Sequence, residues 1–292
     1  MLSDKQRKDL KALISMMDEP DEQIFETLKH QVLKYKIEAF PMLEDAWMAA
    51  HDLLVTHRLE SLMDEVNFLY VFDEMEKWLQ MPDHDLLKPM TLLDRLCYMD
   101  SFRDDSVKDV EALVRDTWLE INENLTALEK INVLNHVFYK LHGFYAPETL
   151  DEAMPSFFLS YLLKEKKGNP TSMAMLYLMV AQYLQLPVYG VNLPGHLIVA
   201  YVNDRYFLKK EKDYTASDVM FYVNPYNSGT VFTVSEIDLY IKQLKIPFKE
   251  KYYLPSENKA IVKRYLKELE KGYAIKEDQV KKEQLNKLLT LF

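Results

Sequence analysis

Gly168-Asn169-Pro170-Thr171-Ser172, followed by the apolar run Met173–Leu184, is the stretch on which the fold turns. Asparagine is a good N-cap and proline is favoured at the first helical position, so the helix begins at Asn169-Pro170. Gln182 is the main polar interruption of the run. A helix apolar on every side is buried on every side, which makes this the central helix of a domain. Leu186-Pro187 ends it. Val188–Leu193, His196–Val202, Arg205–Leu208 and Val219–Val223 then read as strands, with Pro194-Gly195 and Asn203-Asp204 as turns and Lys209–Asp218 as an exposed excursion. The expectation is one antiparallel sheet of about four strands within 188–224, packed on the central helix. Four of the six glycines (168, 190, 195 and 229) fall here, where backbone must turn or approach closely.

Everything before this stretch reads as helix. Ser3 with Gln6 forms a capping box, and Leu10, Leu13, Ile14 and Met17 share a helical face. Asp21 and Phe40-Pro41 open further helices, the last carrying Leu43, Trp47 and Leu53. The pattern acidic-Pro-acidic, helix, short link, Phe-Pro, helix resembles a HEAT-type repeat. Helices follow over 59–79, 91–99, 106–121 and 126–142, the last ending in a His142-Gly143 cap. Trp47, Trp78 and Trp118 are expected in the core. Downstream, Thr233 and Glu236 form a capping box. Helices are predicted over 257–271, with Ser256 as N-cap and Gly272 as C-cap, and over 275–291, a hairpin of TPR-repeat length. The fold class is therefore α+β. The expected domains are a helical HEAT-like region at 1–114, a core at 115–250 and a TPR-like hairpin at 251–292.

Composition narrows the function. The net charge of −10 over 292 residues argues against nucleic acid or an anionic membrane as partner, because both need a basic face. The single cysteine, Cys97, excludes an internal disulfide, and its neighbours Leu93, Leu96 and Tyr98 predict an inert, buried thiol. No apolar run reaches the ~18–20 residues of a membrane span, and no signal-peptide core follows the basic N-terminus. A cytoplasmic protein is expected. No metal-ligand spacing, phosphate loop or dinucleotide fingerprint is present, so no metal or cofactor is expected. Oligomeric state is not readable.

A buried helix whose N-terminus meets a short antiparallel sheet resembles the papain and transglutaminase architecture, and the resemblance implies a nucleophile at the helix start, a histidine base on an adjacent strand and an orienting side chain on the next. His196 opens one strand and Asn224 ends another. Gly168–Ser172, Leu186–Val191, Pro194–Val199 and Tyr222–Pro225 together resemble the SirB-type branch of the transglutaminase-like superfamily over about residues 115–292. The resemblance implies a transglutaminase-like core followed by TPR-like helices. It matches His196 to the family's histidine and places Asn224 where active transglutaminases carry aspartate. It places Pro170 where they carry the nucleophilic cysteine. Asn169, Thr171 and Asn192 are candidate ligand-binding residues. Ser172, or Thr171, is the only alternative nucleophile near His196 and Asn224.

Each candidate also has a purely structural role open to it. Asn169 can cap the helix, Thr171 and Ser172 can bond its free amides, and His196 can brace the Pro-Gly turn. Asn224-Pro225 can simply start a turn. The missing thiol favours a non-catalytic protein that binds a protein or peptide through the cleft and its helical flanks. The alternative is a hydrolase or acyltransferase using Ser172, or Thr171, with His196 and Asn224.

Overall fold

The structure, a computed structural model, describes residues 2–97, 105–147, 154–203 and 215–292. The strand expected at Arg205–Leu208, Tyr98 and most of the Lys209–Asp218 excursion lie outside these residues. The chain forms two compact units, Met1–Gln80 and Met81–Phe292.

The first unit holds α1 (Asp4–Ile14), α2 (Glu22–Leu33), α3 (Phe40–Ala49) and α4 (Leu53–Gln80). The Ser3–Gln6 capping box is present at the start of α1. The Asp21 carboxylate accepts the amides of Gln23 and Ile24 to start α2. Leu10, Val32, Leu43, Leu62 and Trp78 are fully buried. Arg58, on α4, is buried with them. Its guanidinium donates to the Met17 and Glu19 carbonyls and to the Glu22 carboxylate, and lies 3.9 Å from the Phe25 ring centroid. One planar, multi-donor side chain thus ties the α1–α2 link to α4, a geometry lysine cannot copy.

The second unit begins with α5 (Leu87–Cys97), α6 (Ser106–Glu120) and α7 (Ala127–Asn135), which continues as a π-helical turn over His136–Leu141. Then come α8 (Leu159–Glu165) and α9 (Pro170–Tyr183). Thr171 to Ala181 of α9 are all buried. The sheet is β1 (Val188–Leu193), β2 (His196–Val202), β3 (Val219–Asn224) and β4 (Thr230–Phe232), antiparallel in that order. α10 (Val234–Gln243), α11 (Asn258–Ile275) and α12 (Gln279–Leu289) complete it. The protein is mostly helical with one small antiparallel sheet, an α+β architecture. The strand that the sequence did not suggest is β4, whose three residues are too few to show an alternation.

α5 and α6 fall in the second compact unit. The reason is visible at Asp94 on α5: its buried carboxylate accepts the amides of Leu159 and Ser160 and caps α8 from a distance. Several local expectations change. Gly272 does not end a helix but lies inside α11, where a Cβ would collide with the Met154 sulfur. Ser256 does not cap α11; its amide bonds the Gly190 carbonyl. Only Trp78 is a core tryptophan. Trp47 is 39% exposed and donates to Glu60, and Trp118 is 67% exposed. Cys97 is half-buried. Among the described residues, no helix is long and apolar enough to cross a membrane.

Candidate functional site

The sheet separates the sequence-derived candidates into two groups. β1 and β2 pair with Gly190 opposite Val199 and Val191 opposite Ile198. A Cβ on Gly190 would meet Leu178 of α9 and Ile261 of α11, so this face of the sheet looks toward α9 and α11. Side chains alternate between faces along a strand. His196, Ile198 and Ala200 therefore look the other way, toward Ile237 and Ile241 of α10. Asn224 sits opposite Thr230, and Val223 opposite Val199, which puts Asn224 on the His196 face.

His196 and Asn224 accordingly line one cavity of about 280 Å³, with Asn227, Thr230, Glu236 and Tyr240. The His196 ring lies 5.5 Å from the Tyr240 ring. Burial lowers the His196 pKa, and the Arg264 guanidinium adds to the shift. The ring is therefore held neutral through neutral pH, able to donate from one nitrogen and accept at the other. Glu236 is committed to the Thr233 amide and hydroxyl as a capping box. The Asn224 side-chain oxygen accepts the amides of Tyr226 and Asn227. That leaves its amide group as a donor. No lysine or arginine is among the residues lining this cavity. Its lining offers hydrogen-bond donors and acceptors and one carboxylate, that of Glu236.

The second group lies on the α9 side. Asn169, Thr171 and Ser172 are buried at the start of α9. The Asn169 side chain accepts the Ser172 amide at 2.7 Å, and the Ser172 hydroxyl accepts the Asn169 amide at 3.1 Å. That hydroxyl is also placed to donate to the Ser156 carbonyl at 2.8 Å or the Asn169 carbonyl at 3.2 Å. Its hydrogen-bonding capacity is taken up by a helix cap. A Cβ on Gly168 would sit against the same hydroxyl, which explains the glycine. Asn192 pairs with Leu197 on this face, and its buried side-chain oxygen accepts no hydrogen bond among the described residues. Pro170, at N1 of α9, carries no nucleophile.

Residues distant in sequence hold the cavity in place. Gly195 has φ +80°, as the second central residue of a Pro-Gly turn requires. The tip it forms is pinned by Arg264, which donates to the Leu193 and His196 carbonyls, and by the Tyr240 hydroxyl on the Pro194 carbonyl. On the other edge, Asn135 donates to the Gly229 carbonyl and accepts from the Tyr177 hydroxyl. Tyr139 in the π-helical turn donates to the Pro225 carbonyl. Burial raises the hydroxyl pKa of both tyrosines, so both stay protonated as donors. Thr233-x-x-Glu236 was legible in the sequence, and Tyr240 follows one turn later on the same helical face. Arg264, Asn135 and Tyr139 left no local signal.

Gly229 has φ +67°, and a Cβ there would collide with the Asn135 side chain. Gly229→Ala is expected to lower the unfolding free energy by about 1–3 kcal/mol, through left-handed strain and a displaced half-buried amide. A chemical-denaturation curve reads this directly. An unchanged midpoint would show that Asn135 does not hold the 225–229 turn. For His196, titration followed by the NMR shifts of the ring protons is expected to give a midpoint below that of a solvent-exposed histidine in the same protein.

A sequence model of the transglutaminase-like superfamily matches residues 104–267. A UPF0162 protein of Pasteurella multocida is 32% identical over 87 residues, which cover 30% of this chain and 33% of that protein. A UPF0162 protein of Haemophilus influenzae is 32% identical over 88 residues, again 30% of this chain and 33% of that protein. The aligned stretch thus spans about a third of the length of each relative. No solved structure matches significantly. The matched span takes in the central helix, the four strands and α10, the elements that carry His196 and Asn224, and on that ground the chain belongs to the transglutaminase-like superfamily.

Proposed function

We propose that this chain is a non-catalytic transglutaminase-like protein of the SirB type. In this reading the His196–Asn224 cavity and the helical flanks, HEAT-like before the core and TPR-like after it, bind a protein or peptide partner. The observation that carries it is the state of the nucleophile position. Pro170 stands where the superfamily's cysteine is expected, and the hydroxyl of Ser172 is fully buried with its hydrogen bonds satisfied by its own helix cap and Ser156. A covalent route needs a nucleophile within reach of its base, about 2.6–3.2 Å. The bonding partners of Ser172 are Asn169 and Ser156, and His196 faces α10. A cavity of about 280 Å³ falls at the small end for ligand sites, about 300–1,000 Å³, and suits one polar side chain or backbone amide better than a cofactor.

The test pairs an activity assay with a binding assay. Amine incorporation into a glutamine-rich protein is measured for the untreated chain, the iodoacetamide-treated chain and the Cys97→Ser variant; no turnover is expected in any. In parallel, wild-type and His196→Ala proteins are used for affinity capture from native lysate. The expected result is a set of captured proteins lost in the variant. Turnover that survives alkylation but disappears in Ser172→Ala would replace this reading with a serine-dependent hydrolase or acyltransferase.

A further inference from the structure

A large cavity lies remote in sequence from His196. It is a groove of about 1030 Å³ in the first unit, bounded by α1, α3 and the start of α4. Its lining includes the apolar residues Ile14, Met17, Met42, Ala46, Val55 and Leu59. Ala46, Ala49 and Ala50 run along the α3 side, and small side chains there let another backbone approach closely. Large apolar residues stand exposed in the same part of the sequence, among them Met16, Met48, Leu53 and Leu54. Clustered exposed apolar surface is a feature of interaction sites.

Charge says what kind of partner fits. The first unit, residues 1–80, has seventeen acidic and nine basic side chains, a net charge of −8 out of −10 for the whole chain. At the groove itself the rims differ. Arg7 and Lys11, one helical turn apart on α1, form one edge, and Asp18, Glu38 and Asp45 stand elsewhere around it. α3 is 10 residues long, about 15 Å at the helical rise, enough to seat two to three turns of a second helix. An amphipathic helix lying in a groove uses apolar anchors at i, i+3, i+4 and i+7.

We propose that this groove binds an amphipathic helix of a partner protein. The helix is net basic, with apolar anchors against the groove's apolar lining and an acidic edge beside Arg7 and Lys11. This deepens the helical-flank part of the reading above at a surface separate from the His196 cavity, so either can fail alone. Anionic lipid and nucleic acid are disfavoured by the −8 charge of the unit.

The experiment uses the full chain and a fluorescent synthetic helix of about 14 residues, roughly 21 Å long. The helix has leucine anchors, lysine over the outer arc and one flank, and glutamate along the other flank. A control peptide has lysine and glutamate exchanged. Binding is followed by anisotropy, and Ala46→Trp and Ala49→Trp fill the groove without changing charge. Ala46 is half-buried and Ala49 exposed, so the second variant serves if the first does not fold. The expected result is one-to-one micromolar binding of the basic peptide, weakened at least about tenfold by either tryptophan. Four outcomes would overturn the proposal. The first is no binding of the basic peptide, or equal binding of the control peptide. The second is binding indifferent to a folded tryptophan variant, or lost in His196→Ala instead. The third is complete loss in about 1 M salt, where screening acts beyond about 3 Å and only surface charge would be at work. The fourth is a dimer in sedimentation that Ala49→Trp dissolves, which would assign the groove to a second copy of this chain.

Discussion

Replacing Arg58 by alanine is expected to destabilise the first unit by about 3–5 kcal/mol, among the largest effects for a side chain outside the hydrophobic core. The change leaves the carbonyls of Met17 and Glu19 without their charged donor and uncovers the face of Phe25. Each buried carbonyl left unpaired costs about 1–3 kcal/mol. The Glu22 contact adds little, because that carboxylate is largely exposed and an exposed partner is screened by water. Arg58→Lys is expected to recover only a fraction of the loss, since an ammonium cannot present two fixed donors to two carbonyls and also lie flat on the ring. Urea denaturation reads both variants. Full recovery by lysine would show that charge alone, and not fork geometry, holds the α1–α2 link.

The second large effect is at Asp94. Its carboxylate is buried and accepts the Leu159 and Ser160 amides at 2.9 and 2.6 Å, the free donors at the start of α8. Asp94→Ala orphans both and is expected to cost about 2–5 kcal/mol. Asp94 also sets a pH dependence. Burial pushes its pKa up to about 6, against the pull of the hydrogen bonds, from an ordinary value of 3.8. The folded state therefore binds this proton more tightly than the unfolded chain. The contribution to stability is fully present below about pH 4 and is lost as pH rises through about 6. Asp94→Asn has no proton to exchange. The difference in unfolding free energy between wild type and Asp94→Asn, measured from pH 4 to 7, is expected to move against the wild type as pH rises. A difference curve flat across that window would mean that Asp94 titrates normally in the fold.

These two residues mark how far sequence reading reaches in this protein. Arg58 sits among the many charged residues of a long helical pattern, and nothing local distinguishes it from them. Asp94 sits between Leu93 and Arg95 in a helix whose own cap it does not serve; its partners are 65 and 66 residues away. The caps that were legible, Ser3 with Gln6, Asp21, Asn169, and Thr233 with Glu236, all act within three residues. The same distinction runs through the candidate site. That His196 opens a strand and Asn224 closes one follows from Pro-Gly and Asn-Pro punctuation and from apolar runs. That the two share a face follows only from the pairing of Val199 with Val223.

By itself the sequence determined the buried central helix, the β1–β2 hairpin, the predominance of helix elsewhere and the likeness carried by Gly168–Ser172, Pro194–Val199 and Tyr222–Pro225. These depend on local rules: caps, turns, hydrophobic period and short motifs. Tertiary structure alone decided that Ser172 is spent on Asn169 and Ser156 while His196 and Asn224 turn toward α10. Tertiary structure alone also supplied Arg264, Tyr240, Asn135 and Tyr139 to hold the cavity's edges. The physical reason is that a strand register shifted by one residue would reverse every side chain between the two faces. Register here is set by hydrogen bonds and burial between segments that no local pattern connects.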